Sequence, residues 1–226
     1  MTDRIKQLTN FQEAIIVILI GLGLFIYYSI RGLIAISSGP AKQWIYNRSE
    51  TGGITILIIE IISLVIISYI LNKRDWRLED INLRLSFRTV VHAFLIVLII
   101  LIVTGLVSRA LVYIGWTDTD SISTVTIERH RNYLIWGLLI VINSIFEEFI
   151  YVGYLFRKLE NYNKGLFIIL SSTLRTIVHL YQGIFTIIPH FIFGVVFASY
   201  YSKYKTLITL IISHGLWNLM ALWRAG

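Results

Sequence analysis

The 226-residue chain has no cysteine, only two prolines and few charged residues. Without cysteine it forms no disulfide, has no thiolate nucleophile and offers no zinc–thiolate site. Charged residues make up 15% of the chain, whereas a soluble domain carries about 25%. Hydrophobic residues account for 56%. This composition is typical of a membrane protein.

Seven hydrophobic segments approach the length of about 20 residues that a membrane-spanning helix needs. Their approximate ranges are 14–28, 54–71, 90–114, 133–156, 165–181, 184–202 and 206–223. The first extends through Arg31 towards Ile36 and has no convincing signal-peptide cleavage site, so we interpret it as a helix. There is no internal repeat or linker. The sequence predicts an all-α fold, a polytopic membrane bundle of about seven transmembrane helices in one domain over residues 1–226.

The distribution of Lys and Arg predicts the orientation. The loops that include the amino-terminal tail together hold 12 of these residues, and the loops on the other side hold 6. Because positive loops stay in the cytoplasm, we predict a cytoplasmic amino terminus and an outer carboxyl terminus. These loops also explain the net charge of +7, so no nucleic-acid partner is expected. The predicted location is a cell membrane, the bacterial plasma membrane, with the lipid bilayer as a partner.

Two adjacent carboxylates, Glu147 and Glu148, lie inside the fourth segment. A charge at the centre of a membrane helix costs about 2.5–3.5 kcal/mol on insertion scales, so the pair either performs chemistry or is neutralised by other helices. On a helix, Asn143, Glu147 and Tyr151 share one face, which Tyr154 continues, and Glu148 points about 100° away. We therefore expect the two carboxylates to have different roles.

Two later segments carry polar pairs at the same spacing. Arg175 and His179 are four residues apart in the fifth segment, and His214 and Asn218 are four apart in the seventh. Residues four apart face the same side of a helix. Together with the glutamates, these side chains form a plausible hydrolytic constellation.

Other polar residues inside the membrane have simpler interpretations. Glu60 and Arg109 lie at matching depths of about 8–9 Å below the outer surface, at 1.5 Å per residue, and are predicted to form a structural ion pair. His190, next to Pro189, is predicted to make a helix–helix hydrogen bond. His92 is near a segment end and is interpreted as interfacial.

Three motifs in the carboxyl-terminal half resemble those of the CAAX-protease and bacteriocin-processing family of intramembrane proteases, also called the ABI family. They are EEFIYVGYLF at residues 147–156, SSTLRTIVHL at 171–180 and HGLWN at 214–218. Each motif is weak alone, but the order and the placement on separate membrane segments are fairly specific. The resemblance covers roughly residues 133–220, the expected protease-like core.

The resemblance implies a role for each matching residue. Glu147 would be the general base that activates water, with help from His179. His214 and Asn218 would form an oxyanion site, and Glu148 would be structural or share the proton balance. Such an assignment agrees with the need for a base beside the water and donors beside the developing charge.

The resemblance also implies an alternative mechanism that uses a metal ion, because the family has been described as metal-dependent. Glu147, His179 and His214 would then bind zinc with one open position. The three residues come from separate segments without the compact H-E-x-x-H spacing. We therefore favour a metal-free glutamate mechanism with no cofactor.

The chain departs from the family pattern at two positions. The family motif is Glu-Glu-x-x-x-Arg, and Val152 stands where the arginine is expected. The second motif usually has Phe four residues before its histidine, where this chain has Arg175. A guanidinium is lost from one helix and gained on another, and we hypothesise that Arg175 pairs with Glu148 or Glu147 to compensate.

These observations favour an intramembrane endopeptidase that cleaves a peptide or membrane-anchored substrate near the cytoplasmic face, with processing of a bacteriocin or pheromone as one candidate task. The alternative is a bacteriocin self-immunity protein that acts by binding, which the altered motif at Val152 slightly favours. A proton-coupled transporter is the weakest interpretation, because no inverted repeat is present. The sequence leaves the substrate, the cleavage site and the oligomeric state open.

Overall fold

The computed structural model describes residues 5–38, 46–76, 81–115, 125–127, 132–159, 161, 163–183 and 186–224. Within these ranges, seven long helical segments form the bundle that the sequence predicts. They are α1 (Asn10–Ser38), α2 (Glu50–Asn72), α3 (Phe87–Tyr113), α4 (Tyr133–Glu148) with its continuation through a π-helix (Phe149–Tyr154) and α5 (Leu155–Leu159), α6 (Lys164–Val178), α7 (Ile187–Tyr204) and α8 (Leu207–Arg224).

Short elements complete the described structure. A 3₁₀ turn, Leu180–Gln182, follows α6. Two three-residue strands, β1 (Tyr46–Arg48) and β2 (Val125–Ile127), pair in parallel between the α1–α2 and α3–α4 connections. Since both connections join helices at the same end of the bundle, this pairing agrees with the helix order.

Four of the helical segments are long and apolar enough to cross a membrane: Asn10–Ala35, Glu50–Asn72, Phe87–Tyr113 and Tyr133–Leu159. Leu207–Trp223 is a shorter apolar helix. Half of the most apolar window of Tyr133–Leu159 is buried inside the protein, against 22–28% in the other three. The fourth segment is therefore the central helix, and the first three leave apolar side chains for lipid.

Polar side chains at the helix starts explain where the helices begin. Ser49 accepts a hydrogen bond from the Gly52 amide at the start of α2. Ser86 and Thr89 form a reciprocal capping box at the start of α3, and Asn132 and Asn163 cap α4 and α6 with their side-chain oxygens. Each cap satisfies amides that have no partner within the helix.

The helix packing corrects the predicted ion pair between Glu60 and Arg109. Helix α2 packs against α1 and α4, whereas α3 packs against α7 and α8. Glu60 is fully buried and accepts a hydrogen bond from Asn143, while Arg109 is exposed. The prediction is wrong because α2 and α3 are neighbours in sequence but face different partners.

The π-helix corrects a second expectation, that Tyr154 continues the face of Asn143, Glu147 and Tyr151. In a π-helix the hydrogen bonds run from i to i+5 instead of i to i+4, so the helical face shifts after Glu148. The Tyr154 hydroxyl donates to Glu13 Oε1 at 3.1 Å. Tyr154 thus contacts α1, away from the polar residues of α4.

Glu13 is the centre of an ion cluster at the end of the bundle where the basic loops lie. Its carboxylate pairs with Lys158 Nζ at 2.7 Å and with Arg74 Nε at 2.9 Å. Trp76 stacks on Tyr154 at 5.4 Å between ring centroids. Because Glu13 is 1% exposed, these bonds replace the water that a buried carboxylate needs and tie α1 to α2 and α5.

Helices α6 and α7 approach each other closely at Gly194. A Cβ atom added there would lie 2.6 Å from Ser172 Cα. Ala198, one turn further along α7, is also fully buried. Small residues one turn apart are typical of tightly packed membrane helices. This contact positions the carboxyl-terminal end of α6, which carries Arg175.

We expect Gly194→Ala to lower the free energy of unfolding by about 1–3 kcal/mol, the usual cost of overpacking, because the methyl group meets backbone atoms that cannot move aside. Gly105→Ala is the matched control, since a Cβ on Gly105 meets no described atom within 4 Å. That variant should be neutral or slightly more stable. Thermal unfolding in detergent measures both, and equal stability of the two variants would contradict the packing account.

Candidate active site

A group of polar side chains meets in the interior of the bundle, around the point where α4 passes into the π-helix. Helix α4 carries the two carboxylates, the end of α6 carries Arg175, and α8 carries His214. The buried members are 0–6% exposed: Glu147, Glu148, Tyr151, Arg175 and His214. Charged groups this far from water need partners of opposite charge or hydrogen bonds.

Arg175 bonds to both carboxylates. Its NH2 nitrogen donates to the two Glu148 oxygens at 2.8 Å each, and its NH1 nitrogen donates to Glu147 Oε2 at 3.2 Å. The predicted pairing of Arg175 with the glutamates is therefore present, and it involves both of them.

Aromatic rings surround the remaining faces of this guanidinium. Its carbon lies 4.7 Å from the Tyr151 ring centroid, 4.9 Å from that of Phe193 and 5.4 Å from that of Phe197. Cation–π attraction of this kind strengthens when the cation is desolvated. The rings keep Arg175 oriented towards the carboxylates. Val152, where the family motif has arginine, is a fully buried aliphatic residue of the core.

His214 connects the two glutamates. Its Nδ1 lies 2.7 Å from Glu148 Oε1, and its Nε2 lies 4.0 Å from Glu147 Oε2. A carboxylate only accepts hydrogen bonds, so Nδ1 carries the proton in this contact. Glu148 thereby fixes the ring orientation and directs Nε2 towards Glu147. Nε2 donates a hydrogen bond only when the ring is protonated on both nitrogens.

An amide chain lies on the other side of Glu147. Asn143 Nδ2 donates to Glu147 Oε1 at 3.1 Å and to Glu60 Oε1 at 2.7 Å. Asn143 Oδ1 accepts from Asn218 Nδ2 at 3.0 Å. Glu147 Oε1 is thus held by an amide, while Oε2 faces Arg175 and the two histidines.

His179 approaches Glu147 from the end of α6. Its Nε2 lies 3.9 Å from Glu147 Oε2, and Gln182 Nε2 lies 3.3 Å from its Nδ1. The His179 ring stacks on His190 with 4.3 Å between centroids. His190 Nδ1 bonds to the Thr186 carbonyl at 2.8 Å, a contact with a residue four earlier in the chain. The arrangement gives both His179 and His214 a ring nitrogen near the same carboxylate oxygen.

A cavity of about 900 Å³ contains this cluster. Its walls are mostly apolar, with Tyr27, Trp136 and Trp217 among them. The side chains of Glu60, Asn143, Glu147, Tyr151, Arg175, His179, His214 and Asn218 all contribute to its lining. An apolar cavity with a few convergent polar groups is typical of an active site.

The donor arrangement does not fit the three-ligand zinc alternative of Glu147, His179 and His214. In the described part of the chain, no three His, Asp or Glu side chains are arranged to hold a metal ion. Glu147 Oε2 is ion-paired with Arg175, and the two histidine nitrogens stand 3.9 and 4.0 Å from it. Ligands that share one tetrahedral zinc, each bonded at about 2.0–2.1 Å, would lie closer together than this.

Seven of the eight residues proposed from the sequence as catalytic or supporting line the same cavity. The eighth, Glu148, does not line it but bonds to two that do, Arg175 and His214. One further residue was assigned to the wrong partner. Glu60 belongs to the cluster through Asn143. The sequence did contain a signal, a carboxylate inside a membrane segment, and the error lay in pairing it with Arg109. The packing of α2 on α4 brings Glu60 into the site.

Comparison with known proteins supports the resemblance found in the motifs. Residues 129–220, about two fifths of the chain, match the family described as type II CAAX prenyl endopeptidase Rce1-like. The matched part contains α4, α6 and most of α8, and hence every cluster residue except Glu60. No curated protein and no solved structure gives a significant match. The match is to a family of membrane endopeptidases, and it supports a membrane-embedded peptidase in general terms.

Proposed function

Because residues 129–220 are similar to the CAAX prenyl endopeptidases, we propose that the chain is an intramembrane endopeptidase in which Glu147 activates water. One observation carries the proposal. Glu147 Oε2 is a buried carboxylate oxygen with the Nε2 atoms of His179 and His214 at 3.9 and 4.0 Å, inside a cavity large enough for a peptide segment. Glu147 as the base, His179 as a second proton-transfer group and His214 as a hydrogen-bond donor thus surround one reaction point.

The reaction follows from the roles of these groups. Glu147 takes a proton from water as the water oxygen adds to the scissile carbonyl carbon. Negative charge develops on the carbonyl oxygen, and His214 Nε2–H and the free Nδ2–H of Asn218 donate to it. The tetrahedral intermediate then collapses, the carbon–nitrogen bond breaks, and the leaving amine receives the proton held by Glu147. The products are one new carboxyl terminus and one new amino terminus.

Glu148 acts in this scheme through His214. Its bond to Nδ1 at 2.7 Å stabilises the doubly protonated ring that the donor role requires, as a carboxylate beside an imidazole does in other hydrolases. Arg175 holds Glu148 in place through the two bonds from its NH2 nitrogen. His179, whose Nε2 lies 3.9 Å from Glu147 Oε2, assists proton transfer at Glu147.

The proposed substrate is a peptide or a membrane-anchored protein, and bacteriocin or pheromone processing in a bacterial plasma membrane is the finer proposal. The cavity supports a polypeptide substrate because its walls are largely apolar and aromatic around one polar centre. The proposed mechanism uses no cofactor, because Glu147 Oε2 is already paired with Arg175.

A peptide library tests activity and metal dependence together. Purified protein in lipid vesicles should cleave a subset of library peptides, and a chelator should leave the rate within about twofold, because the scheme uses no metal ion. The His214→Ala and Asn218→Ala variants should each cut the rate by about 10²–10³, the usual loss of one oxyanion donor. Rapid loss of activity in chelator would contradict the metal-free scheme. Absence of any cleavage would favour the binding role of an immunity protein.

A further inference from the structure

The residues that line the 900 Å³ cavity come from the same end of every helix that contributes. On α1 they run from Leu22 to Ala35, on α2 from Gly52 to Glu60, and on α8 from His214 to Leu222. Those ranges are the carboxyl-terminal half of α1, the amino-terminal half of α2 and the carboxyl-terminal half of α8. The cavity therefore opens at the end of the bundle where α1 ends, α2 begins and α8 ends.

The basic loops lie at the opposite end of the bundle. The connections on their side hold 12 Lys and Arg residues, against 6 on the side of the cavity mouth. Helix termini with an excess of Lys and Arg remain in the cytoplasm. The cavity mouth consequently belongs to the extracytoplasmic side.

At the end of the bundle with the basic loops, packed rings and an ion cluster lie between the helices. The Phe156 ring packs against Phe167 and Tyr201 at centroid distances of 5.0 and 5.3 Å, and Lys205 Nζ lies 3.1 Å from the Phe156 centroid. Next to these rings the Glu13 cluster joins α1, α2 and α5. A second pocket at this end, of about 440 Å³, is lined by Trp76, Phe156 and Lys205 among others and shares no residue with the cavity.

We propose that the active site receives its substrate from the extracytoplasmic side, which is the reverse of the cleavage near the cytoplasmic face expected from the sequence. The substrate class follows: an exported peptide, or the outer end of a membrane-anchored protein. Glu147 lies 14 residues along α4 from Tyr133, about 21 Å at 1.5 Å per residue. An extended chain needs about six residues to cover that depth at roughly 3.3 Å each, so the scissile bond is preceded or followed by such an unfolded stretch.

The absence of cysteine in the chain makes a direct test available. Ala35→Cys and Ala221→Cys place single thiols at the mouth, and Asn161→Cys places one at an exposed position between α5 and α6. A membrane-impermeant thiol reagent is added to intact cells and, separately, to inside-out vesicles. We expect the two mouth thiols to react at least about tenfold faster than Cys at position 161 in intact cells, and the order to reverse in inside-out vesicles.

Any other pattern overturns the proposal. Mouth thiols that react only in inside-out vesicles would place the mouth in the cytoplasm, and equal reaction from both sides would show a cavity open at both ends. Mouth thiols that react from neither side would show a closed site. The substrate class rests on the proposed function, but the labelling needs no catalysis and is repeated in a Glu147→Gln background. A protein that labels as expected and cleaves nothing would refute the proposed function and leave the access side standing.

Discussion

Glu147→Gln is expected to abolish peptide cleavage, with a loss of at least about 10²–10⁴ in rate, the contribution of a general base. Glutamine has the shape of the carboxylate and keeps an acceptor for the Asn143 amide that now bonds to Oε1 at 3.1 Å. It lacks the negative charge that takes a proton from water. The measurement is the initial rate of cleavage of a library-selected peptide in lipid vesicles.

Glu60→Gln is the matched control for this variant. Glu60 is a buried carboxylate of the same cavity and bonds to the same amide nitrogen at 2.7 Å, but Asn143 lies between it and Glu147. Its loss of charge should cost less than about tenfold in rate. If Glu60→Gln were as inactive as Glu147→Gln, the loss of cleavage rate would result from the changed charge of the cavity, and Glu147 would not be the base.

Arg175→Phe is expected to lower the free energy of unfolding by about 3–5 kcal/mol, the usual cost of removing one partner from a buried ion pair. Arg175 is 1% exposed and Glu148 is fully buried, so loss of the guanidinium leaves the Glu148 carboxylate with His214 as its remaining hydrogen-bond partner. Phenylalanine is chosen because the family usually has it at this position. Unfolding in detergent, followed by a spectroscopic signal, measures the change.

Two further variants separate charge from packing at Arg175. Arg175→Lys keeps the cation but not the fork of nitrogens that reaches both glutamates, so it should lose less stability than Arg175→Phe. Adding Val152→Arg to Arg175→Phe restores a guanidinium at the family position and should recover part of the stability and activity. If the double variant is no better folded and no more active than Arg175→Phe alone, the compensation hypothesis fails.

Composition and the spacing of polar residues predicted most of the fold and most of the polar side chains that meet around the cavity. Segment ends agree with the helices to within a few residues in most cases, for example 133–156 against a described helical segment that ends at Leu159. Spacing of four residues correctly grouped Asn143 with Glu147, because a regular helix links those positions. These are local properties, and a single chain displays them directly.

Contacts between helices were harder to predict. Matching depth paired Glu60 with Arg109, but depth says nothing about which helices are neighbours, and α2 packs on α4. The π-helix diverted Tyr154 to Glu13, and no residue pattern in the sequence had indicated that change of period. The pairing of Arg175 was predictable for a different reason. Val152 replaces the arginine expected to pair with Glu148, and Arg175 was a cation inside a membrane segment that had no other predicted partner.

The most direct test of the account is a single turnover in water enriched in ¹⁸O, with enzyme in excess over peptide and mass spectrometry of the product. If Glu147 activates water, the new carboxyl terminus carries one ¹⁸O atom from the first turnover onward. If Glu147 attacked the carbonyl itself and water then opened the mixed anhydride at the Glu147 carbon, the first product would take an unlabelled oxygen from the protein. A first-turnover product without ¹⁸O, or no product at all, would contradict the account.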